Sequence, residues 1–377
     1  MSIEIREVLN KSQLKKFVAF PNKMYKNEKA FVPFLFGDEM DTFNKAKNPA
    51  YEFCQTKLFL CYKDGKLAGR IAGLINHAAN KKWKTNAIRY TRFDFIDDFE
   101  VSSALLDAVI SWGKERGYTE ITGPIGFTDM DHEGMLVEGF DELNMSITFY
   151  NYPYYIEHIE KLGLKKDVDW VEYQLTIPPS VPEKISKLSK YIQSHGDYTV
   201  VNYTDRKVLS ADAFEAFKGI DVAFSVLHGT VPLTDAVINK ALADYIPLVN
   251  MDFISSVKDK DGTIIGFAVL VPSIAKALKK SNGKLLPFGL FRMLKALKGK
   301  NDTMEMFFIA VKPEYQRKGI PAIIMDEMLK ACIKNGVKIC ETGPELELNE
   351  DVQSMWKNLD VRQHKRRRCY KKSIEVI

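Results

Sequence analysis

The chain lacks most of the features that would classify it by composition alone. No Cys-x-x-Cys pair occurs among its five cysteines, Cys54, Cys61, Cys332, Cys340 and Cys369, and their number is odd. That argues against a disulfide scaffold or a cysteine-ligated metal ribbon and fits reduced thiols in a cytoplasmic core, with no metal expected. There is no run of about 18 apolar residues, as a membrane-crossing helix needs. The start, Met1-Ser2-Ile3-Glu4-Ile5-Arg6, has no basic segment leading into an apolar one and does not read as a secretory leader. Neither charge sign dominates: 54 basic and 49 acidic residues leave +5, too little to call for a nucleic-acid partner. What is present is ordinary for a globular protein, 46% hydrophobic and 27% charged. At about 100–200 residues per domain, 377 residues suggest two domains.

The same plan is written twice. Asp64-Gly65 and Asp261-Gly262 each join two apolar segments, a strong hairpin signal. Each hairpin is followed by an amphipathic helix pattern that stops at glycine. The first carries Val101, Leu105, Ala108, Val109 and Trp112 before Gly117; the second carries Ile324, Met325, Met328, Leu329, Cys332 and Ile333 before Gly336. A short strand follows each, at 118–122 and 337–341. This order predicts an α/β protein of the α+β kind, a mixed sheet with helices on its faces. The proline-dense segment Ile177-Pro178-Pro179-Ser180-Val181-Pro182 marks a linker region at 178–195, between domains 1–177 and 196–377. Insertions distinguish the copies, around 127–147 in the first and 272–302 in the second.

The most informative stretch is 309–322. An apolar run through Ile309, Ala310 and Val311 stops at Lys312-Pro313, and a charged turn with Gly319 precedes a helix pattern near Pro321. A strand feeding a helix through such a turn gathers backbone N–H groups and the helix dipole at one point, which suits a phosphate. Gln316, Arg317, Lys318, Gly319, Ile320 and Pro321 resemble the Gln/Arg-x-x-Gly-x-Gly/Ala signature of the GNAT N-acyltransferases. Asn48-Pro49-Ala50-Tyr51, Gly69-Arg70-Ile71-Ala72, Gly134 to Phe140 and Tyr150 to Tyr155 resemble the first half of a bacterial tandem-GNAT group of largely unassigned function. The resemblance implies two tandem GNAT-like domains and acetyl-CoA or a longer acyl-CoA as co-substrate. The backbone of Ile309, Ala310 and Val311 would pair with pantetheine, and Gln316, Arg317, Lys318, Gly319 and Ile320 would hold the pyrophosphate. Asn349 opens a segment similar to the family's Asn-to-Tyr helix. The first copy has Asp94, Asp97, Asp98 and Glu100 and no glycine where the second has its turn, so it reads as degenerate and the second as the CoA-binding domain.

Acyl transfer from a thioester to an amine needs a proton acceptor, stabilisation of the oxyanion and accurate positioning. Glu305, on an otherwise apolar strand six residues before Val311, is the first candidate base, and the histone-acetyltransferase branch resembles it there. Desolvation on such a strand would raise its pKa toward neutrality. Glu341 is a second candidate, and Glu345 and Glu347 are weaker ones. Two positions depart from the family pattern: Pro321 lacks an N–H, and Trp356 stands where a tyrosine commonly protonates the leaving thiolate. An acyl-CoA-binding or membrane-associated module without catalysis is therefore the alternative to an enzyme.

The insertion 272–302 carries Lys276, Lys279, Lys280, Lys284, Arg292, Lys295, Lys298 and Lys300 interleaved with leucine and phenylalanine, and no acidic residue before Asp302. A short amphipathic helix is expected at 287–298, either packed on the other domain or lying on an anionic membrane. The second option makes a lipid-like amine such as a sphingoid base the acceptor, and places the protein at the inner membrane face. Asp129-Met130-Asp131-His132-Glu133-Gly134 opens like an EF-hand loop, but Phe140 stands at the twelfth place, so it reads as a polar loop. Tyr150, Tyr152, Tyr154 and Tyr155 suggest interdomain packing, and His228 a structural role. The basic run from Arg362 to Lys372 reads as the face of a last strand leading into Ile374, Val376 and Ile377.

Overall fold

The computed structural model describes residues 2–225, 227–247 and 249–375; Val376 and Ile377 lie outside it. The first half contributes strands β1 (Ile3–Glu7), β2 (Cys54–Lys63), β3 (Lys66–Asn76), β4 (Ala87–Phe95), β5 (Glu120–Gly123), β6 (Met135–Glu138) and β7 (Lys165–Thr176). The second contributes β8 (Thr199–Val201), β9 (Ile254–Lys258), β10 (Ile264–Pro272), β11 (Thr303–Val311), β12 (Ile339–Thr342), β13 (Glu345–Leu346) and β14 (Asp360–Ser373). The two Asp-Gly signals are the β2–β3 and β9–β10 turns, where Gly65 and Gly262 adopt positive φ. Both amphipathic patterns are helices, Phe99–Lys114 and Ile320–Lys334, and Gly117 and Gly336 follow them with φ of 78° and 70°.

Among the described residues the fourteen strands form one sheet, in the order β1-β2-β3-β4-β5-β14-β7-β12-β11-β10-β9-β8, with β6 on β14 and β13 on β7. The halves exchange strands. β7 of the first half pairs with β12, while β14 of the second pairs with β5, and β7 and β14 lie antiparallel between them. Each half keeps its own core. One forms under the helix Phe99–Lys114, with Val101, Leu105, Leu106, Val109 and Trp112 buried; the other forms under Ile320–Lys334, with Ile320, Ile323, Ile324, Met325, Met328, Leu329 and Cys332 buried. At roughly 1.5–3 kcal/mol per fully buried apolar side chain, each face stabilises its helix far more than intrinsic propensity does. Gly266 permits this contact, since a Cβ there would stand 2.8 Å from Ile320 Cγ2. All five cysteines are free and buried.

The segment 178–195 is not wholly a linker. From Glu183 to His195 it is a helix that buries Ile185 and brings Ile192 against Gly319. The tyrosine cluster also differs from expectation: it packs within the first half. Tyr155 stacks on Phe95 at 4.1 Å and donates to nothing across the halves; its hydroxyl accepts from Phe95 N at 2.9 Å, and Tyr154 Oη donates to Phe95 O at 2.6 Å. These hydroxyls occupy the backbone at the end of β4, the position equivalent to the end of β11. Asp98 caps the following helix and pairs with Lys63, and Asp94 pairs with Arg70 at 2.7 Å. The first copy thus satisfies internally the groups that the second leaves open.

The strand exchange is held by buried charge. Glu172 on β7 accepts from Arg367 and from Lys365 (3.2 Å) on β14, and Lys365 also reaches Glu341 on β12 at 3.3 Å. Glu172, Lys365 and Arg367 have no exposed side-chain surface. Burial raises the Glu172 pKa, but the Arg367 and Lys365 charges outweigh it and leave it at about 2. We predict that Glu172→Ala, which strands two buried cations, lowers the unfolding free energy by about 3–5 kcal/mol in denaturant titration at neutral pH. Because folding lowers this pKa from an ordinary 4.5, the contribution is full above pH 4.5 and is lost as pH falls through about 2.

Candidate active site

β11 carries the site because of how its two edges are used. Toward β10 it is paired along its length, with a bulge that skips Phe307 between the Leu270–Met306 and Val269–Phe308 partners. Toward β12 the parallel pairing ends at Met306–Thr342, and Gly343 N donates to Met306 O at 3.1 Å as the strands part. Beyond that point β13 turns to pair with β7, so residues 307–311 present a backbone edge that no strand covers among the described residues. The gap is a cavity of about 220 Å³, lined by Phe307, Phe308, Ile309, Gly343, Glu345 and Asn349 from the second half and by Asp129, Met130, Glu133 and Trp170 from the first.

The charged turn follows directly. Gln316 Nε2 donates to Val311 O at 3.2 Å, folding the turn back on the strand end. Arg317 (φ 65°) and Gly319 (φ 82°) both adopt left-handed conformations, and Gly319 is the residue that precedes the helix. Among the described residues the N–H groups of Arg317, Gly319 and Ile320 have no protein acceptor, and they lie with Arg317 and Lys318 at a helix N-terminus, the Lys318 ammonium 4.7 Å from the Tyr315 ring and Ile192 packed against Gly319. This is a chemistry for anionic phosphate. Pro321 sits within the first helical turn, where its missing N–H leaves no intrahelical bond unmade.

A second cavity, of about 390 Å³, adjoins the first and shares Met130, Asp131, Ile147, Tyr245 and Phe307 with it. Glu305 lies in its wall, 2% exposed. Its two oxygens accept from Ser273 Oγ at 2.6 Å and Ser146 Oγ at 3.0 Å. Burial pushes its pKa up, the two serine hydrogen bonds oppose that, and the Glu341 charge adds to it; the result is about 7. The same lining carries Asp38, Glu39, Asp41, Asp131 and Asp244, of which Glu39 and Asp131 pair with the buried Arg92, Asp41 with Lys47 and Asp244 with Lys240. Between them are apolar side chains, of which Ile274, Leu278, Met293 and Leu297 come from the insertion. The lining is therefore charged at one part and aliphatic elsewhere.

The other sequence candidates fall as follows. Glu341 lies opposite Glu305 across β11 and β12, but its oxygens are taken by Lys365 and by Gln174 Nε2 (3.4 Å), and it lines neither cavity. Glu347 is tied to Lys166 and Arg366 at the surface. Glu345 lines the first cavity with a pKa raised to about 8 by burial, which hydrogen bonds from Trp356 and Thr342 only partly oppose. Trp356 is 1% exposed, donates Nε1 to Glu345 at 3.1 Å and lines neither cavity, so it does not stand at a leaving group. Asn349 caps the short helix Glu350–Gln353 and lines the first cavity. Ala310 and Val311 line a small cleft beside β10. His228 lines the first cavity and pairs with Asp167 at 3.4 Å.

Sequence reasoning missed what the first half supplies. Its 127–147 insertion brings Met130, Asp131, His132, Ser146 and Ile147 to the second cavity. Asp131 is held well below the usual carboxylate range: burial opposes this, and Arg92 overcomes it with hydrogen bonds of 2.8 Å. Asp131 in turn accepts from His132 Nδ1 at 3.0 Å, and the buried Nε2 has no partner among the described residues. The signal available was Asp131-His132 itself, an adjacent carboxylate and imidazole on a polar insertion. Tyr245, at the end of the helix Asp235–Tyr245, lines both cavities with its ring edge-on to Phe307 at 6.3 Å. The residue is 44% exposed, and partial desolvation with the Asp38 charge shifts its pKa upward.

The fold is that of tandem GNAT proteins. Residues 241–360 match the acetyltransferase (GNAT) family, and the chain carries that domain behind a second, altered copy. Over 380 aligned residues it is 26% identical to protein YghO of Escherichia coli (strain K12), covering 98% of this chain and 95% of that one. It is 25% identical to the bacterial ceramide synthase of Caulobacter vibrioides (strain NA1000 / CB15N), covering 99% and 98%. Among solved structures it is similar to a tandem GNAT protein from the clavulanic acid biosynthesis pathway, with a TM-score of 0.57 at 10% identity, covering 99% of this chain and 98% of that one.

The protonation of Glu305 is accessible without any substrate. Infrared difference spectra of the wild type against Glu305→Gln should show a carboxyl that ionises at about pH 7. A carboxylate already ionised at pH 5 would contradict the burial account.

Proposed function

We propose that this protein is an acyl-CoA-dependent N-acyltransferase whose acceptor is an amine on an aliphatic body, of the sphingoid-base class. The observation that carries the reading is Glu305, a carboxyl poised near neutrality in the wall of an acidic and apolar cavity that opens onto the uncovered edge of β11. The match of residues 241–360 to a family that uses acetyl-CoA or acyl-CoA supports the donor, and the distant relative named a ceramide synthase supports the acceptor class.

In this reading the pyrophosphate rests on the N–H groups of 317–320, and pantetheine adds to the open edge of β11 as a further strand would. The acyl carbonyl lies where the two cavities meet, beside Phe307 and Tyr245. Asp38, a lining carboxylate with no ion pair among the described residues, and Glu305 meet the ammonium. Glu305 takes one proton from it, the freed nitrogen attacks the thioester carbon, a C–N bond forms, and the C–S bond breaks. The CoA thiolate leaves beside the Tyr245 hydroxyl and is protonated as Glu305 gives up the amine proton, a thiol of pKa about 8.5 holding it more tightly than Glu305 does. His132, oriented by Asp131 and with Nε2 unpartnered, stands close enough to the acceptor space to relay the second amine proton. Pro321 and the buried Trp356 favour a second reading, a module that binds acyl-CoA without turning it over.

The two readings separate on CoA-thiol release with long-chain and short-chain amines. Turnover of a long-chain amine supports the enzyme, and CoA-dependent thermal stabilisation with no thiol release on any amine supports the binding module. For the enzyme, Glu305→Gln should lower kcat by about 10²–10⁴-fold while leaving the CoA-dependent thermal shift intact, and wild-type kcat should rise with pH through about 7 as Glu305 ionises. Arg317→Ala combined with Lys318→Ala should instead weaken CoA binding by about tenfold or more, with less effect at high salt.

A further inference from the structure

We propose that the insertion is a membrane-docking surface that seats this protein on an anionic lipid bilayer. The inference deepens the acceptor reading by naming the source of the acceptor, and it stands on observations of its own.

The helix Gly289–Lys298 has two apolar faces. One buries Met293 and Leu297, which line the acceptor cavity. The other, with the loop before it, leaves large side chains in water: Leu286 77%, Phe291 71% and Phe288 65% exposed, with Leu285, Leu290 and Leu294 beside them. No other short segment among the described residues exposes so many large apolar side chains, and a face in water does not need them. The same segment has eight basic residues and no acidic one from Pro272 to Asn301. Lys280, Lys284, Lys295, Lys298 and Lys300 are exposed.

The surface is also firmly seated. Gly283 O accepts from Phe36 N at 2.9 Å, and Lys279 Nζ donates to Glu28 O at 2.6 Å and Phe31 O at 3.2 Å. These bonds spend one lysine on anchoring the insertion to the first half and hold the apolar residues outward. A second copy of this chain is a poor occupant, because a two-fold contact on the patch sets its cations against each other. An anionic bilayer meets both features at once, taking the phenylalanines and leucines below the headgroups and pairing the lysines with phosphate. One helix then separates the lipid from the acceptor cavity, and a long-chain amine passes between them without crossing water.

The test is flotation of the full-length protein with vesicles of phosphatidylcholine alone and of phosphatidylcholine mixed with phosphatidylglycerol. The wild type should float with the mixed vesicles, stay behind with the neutral ones, and be released by salt. Leu286→Asp with Phe291→Asp should cut partitioning by at least about tenfold, and Lys280→Glu with Lys284→Glu should do so in a salt-dependent way, all with an unchanged thermal unfolding midpoint. The wild type remaining unbound to anionic vesicles, or the variants floating as it does, overturns the proposal. So does a concentration-dependent dimer that the aspartate variants abolish, which would make the patch a protein interface. Flotation is read without turnover, so an inactive protein that floats defeats the acyl-transfer reading and leaves this one standing.

Discussion

The structure depends on a set of charges kept entirely out of water. Glu172, Lys365 and Arg367 are fully buried where β7 and β14 cross between the halves. Taking such ions from water costs several kcal/mol each, so they persist only where every partner is in place. The partners are long-range: Glu341 on β12, Asn144 Oδ1 at 2.8 Å from Arg367, and Phe149 O. The last two belong to the loop that carries Ser146. The network that fixes the strand exchange therefore also places the Ser146 hydroxyl on Glu305, and the Glu341 charge on its edge raises the proton affinity of Glu305. Fold and chemistry share these residues.

Duplication gave two similar frameworks, and their differences distribute the labour. At the end of β4 the backbone is occupied by Tyr154 and Tyr155, and Asp98 caps the following helix. At the end of β11 the edge is uncovered and the turn before the helix has free N–H groups and two cations. The first half has not become an inert wall, however. Its insertion supplies Asp131, His132 and Ser146 to a cavity whose other side is β11 and the basic insertion. Neither half contains the site alone. Among the described residues no helix is long and apolar enough to cross a membrane.

Local features were legible in the sequence, and long-range ones were not. Asp64-Gly65 and Asp261-Gly262 specify hairpins because only a few residues tolerate those turns, and the helices ending at Gly117 and Gly336 announce themselves by period and cap. The turn at 316–320 was readable for the same reason. Glu305 was readable as a carboxylate on an apolar strand, but its serine partners come from 32 and 159 residues away. Glu341, the second candidate, is instead part of the Lys365 network, which no local pattern reveals. Trp356 aligned with a functional tyrosine and turned inward onto Glu345, while Tyr245 came to the cavities from a separate helix. The exchange of β7 and β14 is a matter of pairing between halves, invisible to any reading of period or propensity.

Backbone hydrogen exchange with and without CoA tests the central claim most directly, because it reports on the amides held to grip the nucleotide thioester. CoA should slow exchange at residues 307–311 and 317–320 and leave the equivalent end of β4, residues 91–95, unchanged. Protection confined to the first half, or no change at 317–320 when CoA is saturating, would contradict it.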